Sequence, residues 1–182
     1  MGMVSSIYAS IFGGNGSVDG PPDPATGLTP KEKEAITASW ALLADKKEIR
    51  KNGVEFFIML FEEFPYMQKK FDNFKGKEVS GLRKDKIMHG HALTVFYSIG
   101  TLVENLDDAE QLVLLASKIA HNHVSRDIGY TYFKDLADMF PKYLEARAGR
   151  AATPLVKESW NKFLGVLNSL IQQAEEEKKG ST

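Results

Sequence analysis

Residues 86–100 read Lys-Ile-Met-His-Gly-His-Ala-Leu-Thr-Val-Phe-Tyr-Ser-Ile-Gly, and residues 115–126 read Leu-Ala-Ser-Lys-Ile-Ala-His-Asn-His-Val-Ser-Arg. All four histidines of the chain fall in these stretches, as the pairs His89/His91 and His121/His123. Both stretches are amphipathic. Residues two apart on an α-helix point about 200° away from each other, so each pair can offer one imidazole to a shared interior. His91 falls on a stripe with Ile87, Val95 and Ile99, and His123 on one with Leu115 and Ile119. His89 and His121 then face solvent. Two imidazoles facing each other across an apolar gap can hold a flat metal cofactor, with haem as the first candidate.

Helical signals continue on both sides. Thr29-Pro30-Lys31-Glu32 predicts a helix start, with Thr29 as cap, Pro30 in the first helical position and Glu32 completing a capping box. Ile36, Trp40 and Leu43 supply its apolar face. A second helix is expected over 48–64, with Val54, Phe57, Ile58 and Phe61 inward, and Pro65 opens a new turn. Lys75 to Ser80 reads as a loop, and Leu82 to Leu106 as one long helix. Asp107 is the expected cap of the next helix, with Glu110 three residues on. Tyr130 to Arg147 is another helix; Pro141 inside it predicts a kink or a restart near Phe140. Thr153-Pro154 opens the last, with Trp160, Phe163, Leu164, Leu167, Leu170 and Ile171 on one stripe. No alternating strand pattern of useful length and no internal repeat occurs. The expectation is all-α, with seven to eight helices around a pocket.

Composition narrows the classes of function. The 182 residues suit one domain. A formal net charge of −1 gives no basic surface for nucleic acid. Cysteine is absent, which removes disulfides, thiolate ligands, cysteine nucleophiles and palmitoylation. No apolar run approaches the ~18 residues of a membrane span. A zinc or di-iron bundle would want Glu-x-x-His pairs, but Met88 and Ala120 stand three residues before His91 and His123. No nucleophile arrangement and no glycine-rich phosphate loop is present, so no catalytic residues are assigned. Residues 1–27 read as a flexible extension, 28–174 as the folded domain and 175–182 as a polar tail.

The order of these elements and the residues on them resemble the globin family, in particular the intracellular globins of arthropods and molluscs. The resemblance spans Leu28 to Ile171 and rests on separated markers. Trp40 is similar to the tryptophan of the first globin helix, and Pro65 to the proline that begins the short third helix. Phe71-Asp72-Asn73-Phe74 resembles the segment that wedges against haem. His91 to Val95, followed by Ile99-Gly100, resembles the distal-histidine helix. Asn122-His123-Val124-Ser125-Arg126 resembles the proximal segment.

The resemblance implies haem b (iron protoporphyrin IX), since no cysteine exists for covalent attachment. It implies His123 as proximal iron ligand and His91 as distal residue, acting on iron directly or through the bound ligand. Phe57, Phe71, Phe74, Val95, Ile119, Ile128 and Phe133 would contact the cofactor, and Arg126 would pair with a propionate. The implied function is reversible binding of dioxygen and other small diatomic ligands, for storage or transport. A six-coordinate, membrane-associated globin acting in redox sensing, nitric-oxide chemistry or lipid protection is the alternative. A non-haem helical interaction module is the alternative from another class. Met1-Gly2-Met3-Val4-Ser5-Ser6 fits the N-myristoylation pattern, with Gly2 acylated after Met1 removal. The expected location is cytoplasmic, peripheral at the cytoplasmic face of a membrane if Gly2 carries the lipid. Oligomeric state is not legible in the sequence.

Overall fold

The first helix begins as its sequence dictates. The Thr29 hydroxyl accepts from Glu32 N, and the Glu32 carboxylate accepts from Thr29 N at 2.9 Å, a reciprocal capping box. In the computed structural model, which describes residues 19–181, this helix is α1 (Pro30–Leu43). It is followed by α2 (Ile49–Glu63), α3 (Pro65–Gln68), a 3-10 helix (Val79–Lys84), α4 (Lys86–Glu104), α5 (Ala109–Val124), α6 (Tyr130–Ala148), a 3-10 turn (Gly149–Ala151) and α7 (Pro154–Gly180). Among the described residues there are seven α-helices and no strand. None of these helices is long and apolar enough to cross a membrane.

The core is an aromatic web joining five helices. Trp160 of α7 is fully buried and donates from Nε1 to Ser39 Oγ of α1 at 2.9 Å. Its ring lies 5.9 Å from Trp40 and 4.8 Å from Phe140. Phe56 of α2 meets Phe96 of α4 at 6.0 Å and Tyr143 of α6 at 5.3 Å. Such ring pairs add specific geometry to large buried areas. Asn52 of α2, also buried, ties three helices. Its Nδ2 donates to Leu43 O at the end of α1, and its Oδ1 accepts from Arg147 Nε and Nη2 of α6. Its backbone carbonyl accepts from Tyr143 Oη.

Several boundaries differ from the sequence reading, each for a local reason. The long helix expected from Leu82 is divided: Leu82 is buried within the 3-10 helix, and the Asp85 carboxylate caps α4 by accepting from Ile87 N and Met88 N. Val79 and Ser80, expected in a loop, belong to that 3-10 helix. The cap of α5 is Asp108, accepting from Gln111 N at 3.0 Å. Burial of Leu106 sets this register, and Asp107 is left pointing outward toward Lys33. The sixth helical stretch does not restart at Pro141; α6 runs through it, with Met139, Phe140, Tyr143 and Leu144 all buried. Core packing on both sides of the proline holds the helix across the missing hydrogen bond.

The expectation of a flexible extension is revised for residues 19–27. Asp23 closes a turn by accepting from Ala25 N and Thr26 N, and pairs with Lys33. Asp19 accepts from Thr29 Oγ1 and Lys31 N. Leu28 is then fully buried beneath the turn. Composition rich in glycine and proline said "linker", but two carboxylates find α1 amides and hydroxyls. Residues 1–18, including Gly2, lie outside the described residues. At the other end, residues 175–180 of the expected polar tail continue α7.

Replacing Asn52 with leucine is expected to lower unfolding stability by about 2–3 kcal/mol, because Leu43 O and Arg147 lose their buried partner. A shift of the urea midpoint at unchanged m-value checks this.

Candidate functional site

α4 presents two faces. Met88, Ala92 and Phe96, four residues apart, are buried against the core. His91, Val95 and Ile99 flank that stripe and are half-buried. Ile87, expected to share the His91 stripe, is instead 52% exposed. It sits in the first turn of α4, where Asp85 has just turned the chain, and no element covers it there.

The His91 ring is enclosed by aromatic side chains from two other segments. Phe57 of α2 lies 4.8 Å away, Phe71 5.3 Å and Phe74 5.8 Å, measured between ring centroids. Phe71 and Phe74 come from the turn after α3 and stack on each other at 6.0 Å. Phe61, fully buried, backs both of them. The sequence reading placed Phe61 in the core and missed this supporting role; its spacing of one turn from Phe57 was the available signal. Within this cage His91 Nε2 is buried and has no hydrogen-bond partner.

His123 stands in the last turn of α5. Its Nδ1 lies 2.8 Å from Ile119 O, one turn earlier. A carbonyl only accepts, so Nδ1 carries the proton and Nε2 is left with its lone pair. Phe133 of α6 sets its edge against the ring at 5.0 Å and 90°. Phe133 and Ile128 belong to a small apolar cluster with Ala120, Val124 and Ile171. The turn between α5 and α6 makes this possible. Ile128 N bonds back to His123 O at 3.0 Å, and Asp127 takes φ 56° and pairs with Lys178 of α7. A left-handed backbone at a non-glycine residue is uncommon, and aspartate tolerates it better than most. Arg126, exposed beside the site, donates to Asn122 O.

The two inward rings sense each other. Burial first, and repulsion from His123 whenever that ring is protonated second, hold His91 below the ordinary histidine pKa. Burial also lowers His123, against the bond to Ile119. Both are neutral imidazoles at pH 7. The outer pair members behave differently. His121 bonds Ser117 O and Glu177 of α7, and these partners raise its pKa. His89 Nε2 rests 2.9 Å from Arg83 O. The structure thus gathers Phe57, Phe71 and Phe74 around His91, and sets Phe133, which clusters with Ile128, against His123. Val95 and Ile119 are half-buried on the same faces of α4 and α5 as the two histidines.

The donor set suits a cofactor that brings its own metal ligands. Among the described residues no group of three or more His, Asp or Glu side chains is arranged to hold a bare metal ion. One lone-pair nitrogen, one buried unpartnered nitrogen and apolar walls instead fit a planar macrocycle such as haem.

Comparison with known proteins agrees. The Globin family model matches residues 54–171. A globin of Tritia mutabilis is 34% identical over 142 residues, covering 78% of this chain and 97% of its own. A globin of Buccinum undatum is 33% identical over 141 residues, covering 77% and 96%. The crystal structure of ferric Aplysia limacina myoglobin superposes with TM-score 0.74 at 26% identity, covering 81% of this chain and 98% of that one. A hexacoordinated haem protein of an anhydrobiotic tardigrade shares the fold, with TM-score 0.75 at 21% identity over 85% of this chain and 99% of that one. By sequence match and by fold, this chain belongs to the globin family.

Proposed function

We propose that this globin binds haem b between α4 and α5 and reversibly binds dioxygen there, for storage or transport. The observation that carries the reading is a pair of inward imidazoles on α4 and α5, His91 with a buried, unpartnered Nε2 and His123 with its Nδ1 bonded to Ile119 O, which leaves the lone pair on Nε2. Haem would supply a ferrous iron with one position for the protein and one for a diatomic ligand. His123 Nε2 would hold that iron, its orientation set by Ile119 O and the edge of Phe133. The other side belongs to His91. Being neutral and buried, it would offer an N–H donor to a diatomic ligand held there, worth on the order of 1 kcal/mol.

The remaining walls exclude water. Phe57, Phe71 and Val95 are apolar, and Phe57 has no hydroxyl, so His91 is the one side-chain donor assigned on this side. Phe74 and Ile119 pack the cofactor edges. Arg126 would reach a propionate, exchanging its bond to Asn122 O for a charge pair.

The same nitrogen supports a second reading. A buried Nε2 with no partner can ligate iron directly, which gives a six-coordinate globin suited to redox sensing or nitric-oxide chemistry. Gly2 is proposed as an N-myristoylation site, which would place such a globin at the cytoplasmic face of a membrane. A single myristoyl chain gives only reversible attachment, with K on the order of 10⁴ M⁻¹.

Three outcomes are expected. Purified protein shows an intense Soret band, and His123→Ala loses stable haem or retains it only with added imidazole; unchanged haem content and axial ligation in the variant would refute His123 as ligand. His91→Leu speeds oxygen dissociation by about fivefold or more, the loss of one hydrogen bond, or turns a six-coordinate ferrous spectrum five-coordinate. A variant matching wild type in both measurements removes His91 from the site. Intact mass of protein made with an active N-myristoyltransferase should show the added acyl chain, and Gly2→Ala should abolish it.

A further inference from the structure

A glycine in the interior of a helix is unfavourable relative to alanine, so it needs a packing reason. Gly53 of α2 has one. A Cβ there would lie 3.1 Å from Ala92 Cβ, 3.1 Å from Ala92 O and 3.1 Å from Phe96 Cδ2 of α4. Two of these three atoms are parts of α4 with no torsional freedom. The third belongs to a ring that is 1% exposed and wedged between Trp40, at 5.2 Å, and Phe56, at 6.0 Å. Side-chain rotation cannot relieve the crowding. It has to be relieved by a local shift of the α2–α4 crossing at Ala92.

That movement reaches His91 directly. Ala92 follows His91 in the chain, a rise of about 1.5 Å along the helix. Phe57, whose ring packs on His91, lies on α2 one turn beyond Gly53 and on the same face. One face of α2 therefore makes both the crossing with α4 and the wall behind His91.

We propose that Gly53 is a positioning residue for His91: by letting α2 and α4 touch at Ala92, it sets how far His91 Nε2 reaches into the site. The inference rests on the reading of His91 as the distal residue of a haem pocket. A second close approach, where a Cβ on Gly100 would meet Trp40 Nε1 at 3.2 Å, seats the far half of α4 and supplies a comparison.

The test uses the full chain loaded with haem, and the apo-protein in parallel. Gly53→Ala is expected to speed oxygen dissociation roughly fivefold, as for a weakened hydrogen bond, or to abolish a six-coordinate ferrous spectrum if wild type has one. The apo-protein Tm should move little, because alanine's better helix propensity offsets the crowding. Adding Ala92→Gly to Gly53→Ala removes one of the three contacts and should recover part of the wild-type rate. Gly100→Ala should lower Tm while leaving dissociation unchanged. Unchanged dissociation and spectrum in Gly53→Ala, in a protein where His91→Leu alters either, overturns the proposal and leaves the distal assignment standing. Equal kinetic effects of Gly53→Ala and Gly100→Ala also overturn it, since the cause would be α4 as a whole. If His91→Leu changes nothing, the distal assignment itself fails, and the proposal with it. Should Gly53→Ala not fold, Ala92→Gly alone relaxes the crossing and should slow dissociation; an unchanged rate overturns the proposal.

Discussion

Leaving a buried polar atom without a partner costs about 1–3 kcal/mol, and His91 Nε2 is such an atom. The surrounding architecture holds it there. Phe57, Phe71 and Phe74 surround the ring with groups that cannot accept a hydrogen bond, and Phe61 stops them from relaxing away. The crossing of α2 and α4 at Gly53 brings the helix backbone close enough for that cage to close. A polar group kept unsatisfied in a rigid apolar enclosure is poised for a ligand that supplies the missing partner, which is what the distal role proposed for His91 requires.

The opposite wall solves a different problem. An iron ligand must be neutral, correctly protonated and unable to swing. His123, the ligand proposed above, meets each requirement through backbone geometry. The Ile119 carbonyl chooses its tautomer, the end of α5 places it, and the turn through Asp127 brings Phe133 against its edge. The Asp127–Lys178 pair ties this turn to α7. It is exposed and so contributes little to stability by itself. Its use is to connect the turn after His123 to the longest helix of the domain.

Much of this was legible in the sequence. The capping box at Thr29, the proline starts at Pro30, Pro65 and Pro154, and the stripe on α7 are local patterns, and local chemistry reproduces them in the fold. The histidine pairs were informative because a helix separates neighbours two apart by more than half a turn. One member of each pair then has to leave the interior, and the outer two found partners at Arg83 O, Ser117 O and Glu177.

What the sequence by itself determined was therefore the helical class, most helix starts and the two inward histidines, since each depends on residues within a turn or two of one another. Only the tertiary structure decided the rest. It chose Asp108 over Asp107 as the α5 cap, because burial of Leu106 sets the register. It exposed Ile87, carried α6 through Pro141 and bound residues 19–27 to α1, because the covering or pairing groups lie on distant segments. It also made Gly53 matter. A missing side chain leaves no periodic signal, and its meaning appears only when another helix is packed 3.1 Å from where that side chain would be.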